Sequence, residues 1–326
     1  MTDPLLDYVN DLPVEISAPE IRDYRQGNSG IEYLHSFDSA RPGPHVLISA
    51  VVHGNELCGA IAADWLLRLN PEPVCGRLSV GFMNVQAYHS YDPEHPNRSR
   101  WVDEDFNRLW GPGVLADSAR RETSELRRAR EIRPFLDTVD LLLDIHSMQQ
   151  PCVPLMMAGM LPRGRDLAAS VGIPAVVITD CGHKEGMRMR DYADFGDPDS
   201  PRNALLIECG QHWEKASVSV AKEAVVRFLR ASAVVPQDFG ESLLKEMPVP
   251  TQQSFFQVGE IVTVETDNFV FDQPWTGFEH LPKGSNIGRD DKRLVSAPFE
   301  PTVLIMPSKR LQRGKTAVRL AYPLSS

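Results

Sequence analysis

Residues 48–60 read ISAVVHGNELCGA. The opening ISAVV is apolar or small and rich in β-branched residues, which suits a buried strand. The chain then runs at once into His53, Gly54, Asn55 and Glu56. Leu57, Ile61 and Leu66 follow at near-helical spacing. In an open α/β sheet, ligands bind outside the carboxyl ends of the strands. A core strand that ends in polar side chains, with a helix behind it, therefore points to an α/β sheet with a site on its rim.

The same texture recurs downstream. RLSVGFMNV (77–85), DLLLDIH (140–146), PAVVIT (174–179) and ALLIECG (204–210) read as further strands. SARRETSELRRAREIRPFL (118–136), RDLAASVG (165–172) and SVSVAKEAVVRFLRA (217–231) read as helices. The arginine run of the first of these reads as a solvated helix face. A polar loop rich in Pro, His and Asn occupies about 88–113. Near-continuous apolar strands between helices predict an α/β fold: a mainly parallel central sheet with helices on both faces. Past Val235 the texture changes. FFQVGEIVTVE (255–265) and RLVSAPFEPTVLIMP (293–307) flank a turn-rich stretch, which predicts a small C-terminal β domain. The expected division is a catalytic domain over 1–240 and a β domain over 245–326.

Composition excludes some functions. The 326 residues carry a net charge of −10, against a nucleic-acid or acidic-membrane partner. No apolar run reaches the ~18 residues that span a bilayer. The N-terminal MTDPLLDYVNDLP lacks the basic and apolar regions of a secretory signal. Five dispersed cysteines without a CxxC pair read as reduced thiols, so the expected location is cytoplasmic. A small-molecule partner is expected, and homo-oligomerisation is left open.

Three apolar strands meet groups able to bind a metal or move a proton. The first leads into His53, with Glu56 three residues on; the third ends at His146; the fifth carries Glu208. Two histidines and one carboxylate form a common catalytic zinc shell that leaves a position open. His53 and Glu56 are close enough in sequence to chelate one ion, with His146 arriving from another strand. Asp144, two residues before His146, shares its face and either orients that ligand or makes a simple hydrogen bond.

Taken in order, HGNE (53–56), DEDFNRLW (103–110), LLDIHS (142–147) and LLIECG (205–210) resemble the succinylglutamate desuccinylase/aspartoacylase family, within the wider zinc carboxypeptidase-like fold. The resemblance is clear over about 45–210, and the small β domain stands where the family puts one. It implies a zinc-dependent hydrolase acting on carbon–nitrogen bonds other than peptide bonds, which removes an acyl group from a small N-acylated amino acid or related amine. It implies one Zn2+ per chain on His53, Glu56 and His146, with Glu208 as general base and acid. It implies a substrate carboxylate on Asn107 and Arg108. It also implies an upstream arginine that polarises the scissile carbonyl: Arg100, with Arg98 the neighbouring alternative.

The chemistry agrees with these roles. An amide is a poor electrophile and water a poor nucleophile, so metal activation and a separate proton acceptor suit the reaction. The loop CGHKEGMRMRDY (181–192) either faces solvent or contacts substrate through Arg188, Arg190 and Tyr192. Aspartoacylases proper bring a C-terminal tyrosine to the substrate. Residues 301–316 hold none and Tyr322 does not match, which speaks against N-acetylaspartate and against a direct catalytic part for the β domain. Two other readings are a zinc carboxypeptidase acting on peptides and a non-catalytic binding protein on the same fold.

Overall fold

The structure is a computed structural model that describes residues 12–182 and 184–324. Most of the stretch read for a secretory signal (1–11 of it), and His183, lie outside the described residues. Seven strands come first: β1 (Leu34–Asp38), β2 (His45–Ala50), β3 (Arg77–Phe82), β4 (Leu141–Met148), β5 (Leu155–Met157), β6 (Val176–Thr179) and β7 (Asn203–Gln211). Seven more follow: β8 (Ser254–Thr263), β9 (Phe269–Phe271), β10 (His280–Leu281), β11 (Asn286–Asp290), β12 (Arg293–Ser296), β13 (Thr302–Ile305) and β14 (Thr316–Pro323).

Among the described residues these strands form two sheets. The first has eleven strands in the order β1-β3-β2-β4-β7-β5-β6-β8-β14-β13-β10. Its heart, β3-β2-β4-β7, is parallel, as are the β5–β6 and β6–β8 pairs. The second is a small antiparallel sheet of β12, β11 and β9 near the C-terminus. The fold is thus the mixed α/β arrangement that the sequence predicts.

Both faces of the parallel strands are covered, which explains their unbroken hydrophobicity. All six residues of β2 are buried. Val46 and Ile48 pack on the side of the helices Leu57–Arg68 and Lys215–Ala231. Leu47 packs on the opposite side, with Leu126 and Ile132 of the helix Ser124–Leu136. Each such side chain taken fully out of water stabilises the fold by roughly 1.5–3 kcal/mol.

The arginine-rich helix begins later than its sequence pattern suggests. Thr123 is its N-cap and accepts from the Leu126 N–H at 3.0 Å. Glu125 in the first turn is wholly buried and accepts from the backbone N–H groups of Val102 and Asp103 at 2.7 and 3.1 Å. The helix therefore pins the 102–104 turn that leads into Asp105, Asn107 and Arg108.

Two of the first seven strands have no sequence reading. β1 is an edge strand with only one buried residue, so its pattern lacks alternation. β5 is three residues long, too short to register as a period. No helix among the described residues is long and apolar enough to cross a membrane.

Candidate active site

The HGNE turn is fixed by close backbone packing. A Cβ at Gly54 would lie 2.3 Å from the Ser99 carbonyl oxygen and 2.4 Å from the Ala87 carbonyl carbon, so only glycine fits. The Gly54 N–H donates to the Arg100 carbonyl at 3.1 Å. This close approach brings the Arg100 segment beside His53 and Glu56.

His146 lies within β4, directly opposite Glu208 of β7. The register slips just beyond this pair, where Met148 partners Gln211. Gly210, at φ +113, allows the extra residue on β7. Such a bulge twists a strand and re-aims its side chains. It lies immediately after Glu208.

His53, Glu56 and His146 are 3%, 1% and 1% exposed, and one donor atom from each falls within 4.8 Å of the others. Both imidazoles turn Nδ1 toward the same carboxylate. His53 Nδ1 lies 2.7 Å from Glu56 Oε1, and His146 Nδ1 lies 2.9 Å from Glu56 Oε2. The second contact is out of line for a hydrogen bond, so Glu56 Oε2 is buried without a hydrogen-bond partner. The outer ring nitrogens go to other carboxylates: His53 Nε2 to Asp105 Oδ1 at 3.0 Å, His146 Nε2 to Asp144 Oδ2 at 2.9 Å. Ser49 in turn donates to Asp144 Oδ1 at 2.6 Å.

This is the pattern of ligands held by an outer ring of acceptors, which fixes tautomer and orientation. The donor set and the orphaned carboxylate oxygen fit a divalent metal such as zinc. With no metal bound, the histidines and carboxylates of the cluster balance one another. Burial alone would raise the Glu56 pKa, but His53 and His146 hold it well below the usual carboxylate range. Burial would likewise lower His146, yet Asp144 and Glu56 hold it well above the ordinary histidine value.

Glu208 differs. Its Oε2 is buried without a hydrogen-bond partner, and burial, helped by the nearby Glu56 charge, pushes its pKa up to about 8. It lines a cavity of about 320 Å3 together with all three triad residues. Arg100 and Asn107 line the same cavity. Arg100 Nη2 is 3.2 Å from His53 Nε2, and its guanidinium lies over the Trp101 ring at 5.4 Å. Asn107 uses its Oδ1 to accept from the Met189 N–H at 2.9 Å, which leaves its amide N–H groups as what it can offer a ligand. Arg108 also lines the cavity and its Nε is buried without a hydrogen-bond partner.

The loop residues divide. Arg188 reaches the cavity wall but is held by Asp180 at 2.7 and 3.1 Å and by Asp191. Arg190 donates to Asp191 and to the Ala204 carbonyl, both at 2.6 Å, and lies outside this cavity. Tyr192 also lies outside it; its hydroxyl donates to Asp137 at 2.7 Å and its ring packs on Trp110. The structure thus brings eight of the ten sequence-selected residues to one cavity and places Arg190 and Tyr192 elsewhere.

Two features had no sequence reading. Asp105 holds His53, and its place two residues before Asn107 is the one signal that could have singled it out. The second is the far wall. Lys309 and Lys315 reach the cavity from the loop between β13 and β14, and Arg319 from β14. They fall on one turn-rich loop and the strand after it, and no local motif marks them. Tyr322 packs against Phe299 at 4.9 Å between centroids and does not line the cavity.

Fold and site together define an α/β hydrolytic enzyme built around a metal-competent triad. The chain belongs to the succinylglutamate desuccinylase/aspartoacylase family, whose catalytic-domain model matches residues 42–232. Among curated proteins none matches the sequence. Solved structures share the fold. Succinylglutamate desuccinylase from Vibrio parahaemolyticus has a TM-score of 0.67 at 14% identity, over 90% of this chain and 87% of that one. A succinylglutamate desuccinylase/aspartoacylase from Rhodobacter sphaeroides gives 0.60 at 18%, over 97% and 99%. The product-bound ectoine utilization protein EutE (DoeB) from Ruegeria pomeroyi gives 0.60 at 16%, over 88% of each chain. At such identities the likeness is one of fold.

Proposed function

We propose that the chain is a zinc-dependent amidohydrolase that removes the acyl group from a small N-acylated amino acid or a related amine. The observation that carries this reading is the placement of Glu208 across from the His53–Glu56–His146 cluster in one cationic cavity. A divalent metal on that cluster would supply Lewis acidity to the scissile carbonyl and the attacking water.

The chain's own residues supply the rest. Arg108 and Asn107 hold a substrate carboxylate, the one with a planar charged fork and the other with a neutral amide donor. Arg100 presents its guanidinium where negative charge grows on the carbonyl oxygen. Glu208 takes the proton of the attacking water and passes it to the leaving nitrogen. The cavity volume supports a small substrate, and the lysines and arginines of its far wall support an anionic one.

The test is hydrolysis of a panel of N-acetyl and N-succinyl amino acids by protein of measured zinc content. Turnover that rises with zinc occupancy is expected. A metal-loaded protein that cleaves none of the panel would overturn the reading, and cleavage confined to peptides would favour a carboxypeptidase.

A further inference from the structure

The loop after β6 is laced onto the segment that carries Arg108. Met187 bridges Leu109, the Trp110 N–H donates to the Met187 carbonyl at 3.2 Å, and the Met189 N–H donates to Asn107. Gly186 lies flat on Arg108: a Cβ there would be 2.2 Å from the Arg108 carbonyl oxygen, and the backbone sits at φ +155. That approach brings the neighbouring Glu185 beside the Arg108 guanidinium.

The Glu185 carboxylate spans two cations from opposite walls. Its Oε2 is 3.7 Å from Arg108 Nε, and its Oε1 is 3.3 Å from Lys315 Nζ. Both cations line the cavity. At these distances Glu185 balances charge, yet Arg108 Nε makes no hydrogen bond. A ligand carboxylate that came within hydrogen-bonding range of both cations would gain what Glu185 leaves unused.

We propose that Glu185 is a built-in counter-anion: it stands against the gap between Arg108 and Lys315 that a substrate carboxylate takes, and so sets which anions the site accepts. The proposal rests on the reading of Arg108 as the carboxylate anchor given under Proposed function. A small anion must compete with Glu185, and one carboxylate that reaches both cations competes best. The residue thus acts as a filter on anionic ligands and plays no part in bond cleavage.

Calorimetric titration of the metal-loaded protein with succinate, and with its neutral diamide as control, tests this. Glu185→Gln keeps the side-chain shape and removes the charge. Succinate should bind this variant about three- to tenfold tighter, the range set by two partly exposed ion pairs. The diamide should be unaffected, and the gain should shrink in a Lys315→Met background, where only Arg108 is left for Glu185 to oppose. Unchanged succinate affinity would overturn the proposal. So would weaker binding with a lowered melting temperature, which would make Glu185 a clasp between the walls. Binding is read without turnover, so the proposal can fail while N-acyl amino acids are hydrolysed, and can hold where none is.

Discussion

His146 and Glu208 are direct register partners across β4 and β7, yet they carry opposite burdens. His146 is pulled toward the protonated form by two carboxylates, and Glu208 is pushed toward its neutral form by burial. Neighbours in one ladder, they divide into a candidate metal ligand and a candidate proton carrier. Glu208→Gln is therefore expected to keep bound metal and fold. It should lower turnover by about 10²- to 10⁴-fold, since an amide cannot accept the proton. Steady-state kinetics with metal analysis on the same sample decides it; near-parental turnover would remove Glu208 from the role.

The outer carboxylates make a separate expectation. Asp105→Asn and Asp144→Asn each weaken the acceptor that holds a histidine by its Nε2. Metal affinity should drop roughly 10- to 100-fold in each, read by competition with a chelator. Affinity equal to the parent in both would mean that the two aspartates are bystanders.

The buried charge cluster behind the cavity should act through stability. Arg188→Met removes the cation that Asp180 and Asp191 share, while Arg190 still faces Asp191 and Arg319 still faces Asp180, so the loss is expected to cost about 1.5–3 kcal/mol in urea denaturation. Tyr192→Phe loses only the hydrogen bond to Asp137, about 1 kcal/mol, with KM unchanged. A raised KM in the tyrosine variant would restore it as a substrate contact.

The metal-free protein should show a pH signature. Folded Glu208 keeps its proton up to about pH 8, whereas the unfolded chain releases it near 4.5. Between those values the folded state binds more protons, so stability falls as pH rises. Glu208→Gln removes that titration. From about pH 5 to about pH 8 the metal-free variant should lose less stability than the metal-free parent, by about 3–4 kcal/mol. Parallel melting curves across this range would show that Glu208 does not titrate there.

Much of the site was legible because its parts follow apolar strands. A buried strand has few reasons to carry His146 or Glu208, so the residues stand out against their own surroundings. Asn107 and Arg108 were legible through the resemblance, because their loop has no period of its own. Arg190 and Tyr192 show the limit of reading a polar loop. Sequence gives their chemistry, but only the fold shows that Asp191, Ala204 and Asp137 already engage them. The cationic far wall was illegible for the opposite reason. Lys309, Lys315 and Arg319 lie more than one hundred residues beyond His146 and reach it through strand pairings that no local pattern encodes.

The pairing of β6 with β8, Val176 through Thr179 against Ser254 through Gln257, joins the two walls of the cavity into one lamina. A lid hung on a flexible strap can swing; a wall hydrogen-bonded into the sheet that bears the triad has no hinge at that seam. Moving it aside would mean tearing a ladder of backbone bonds in the molecule's interior.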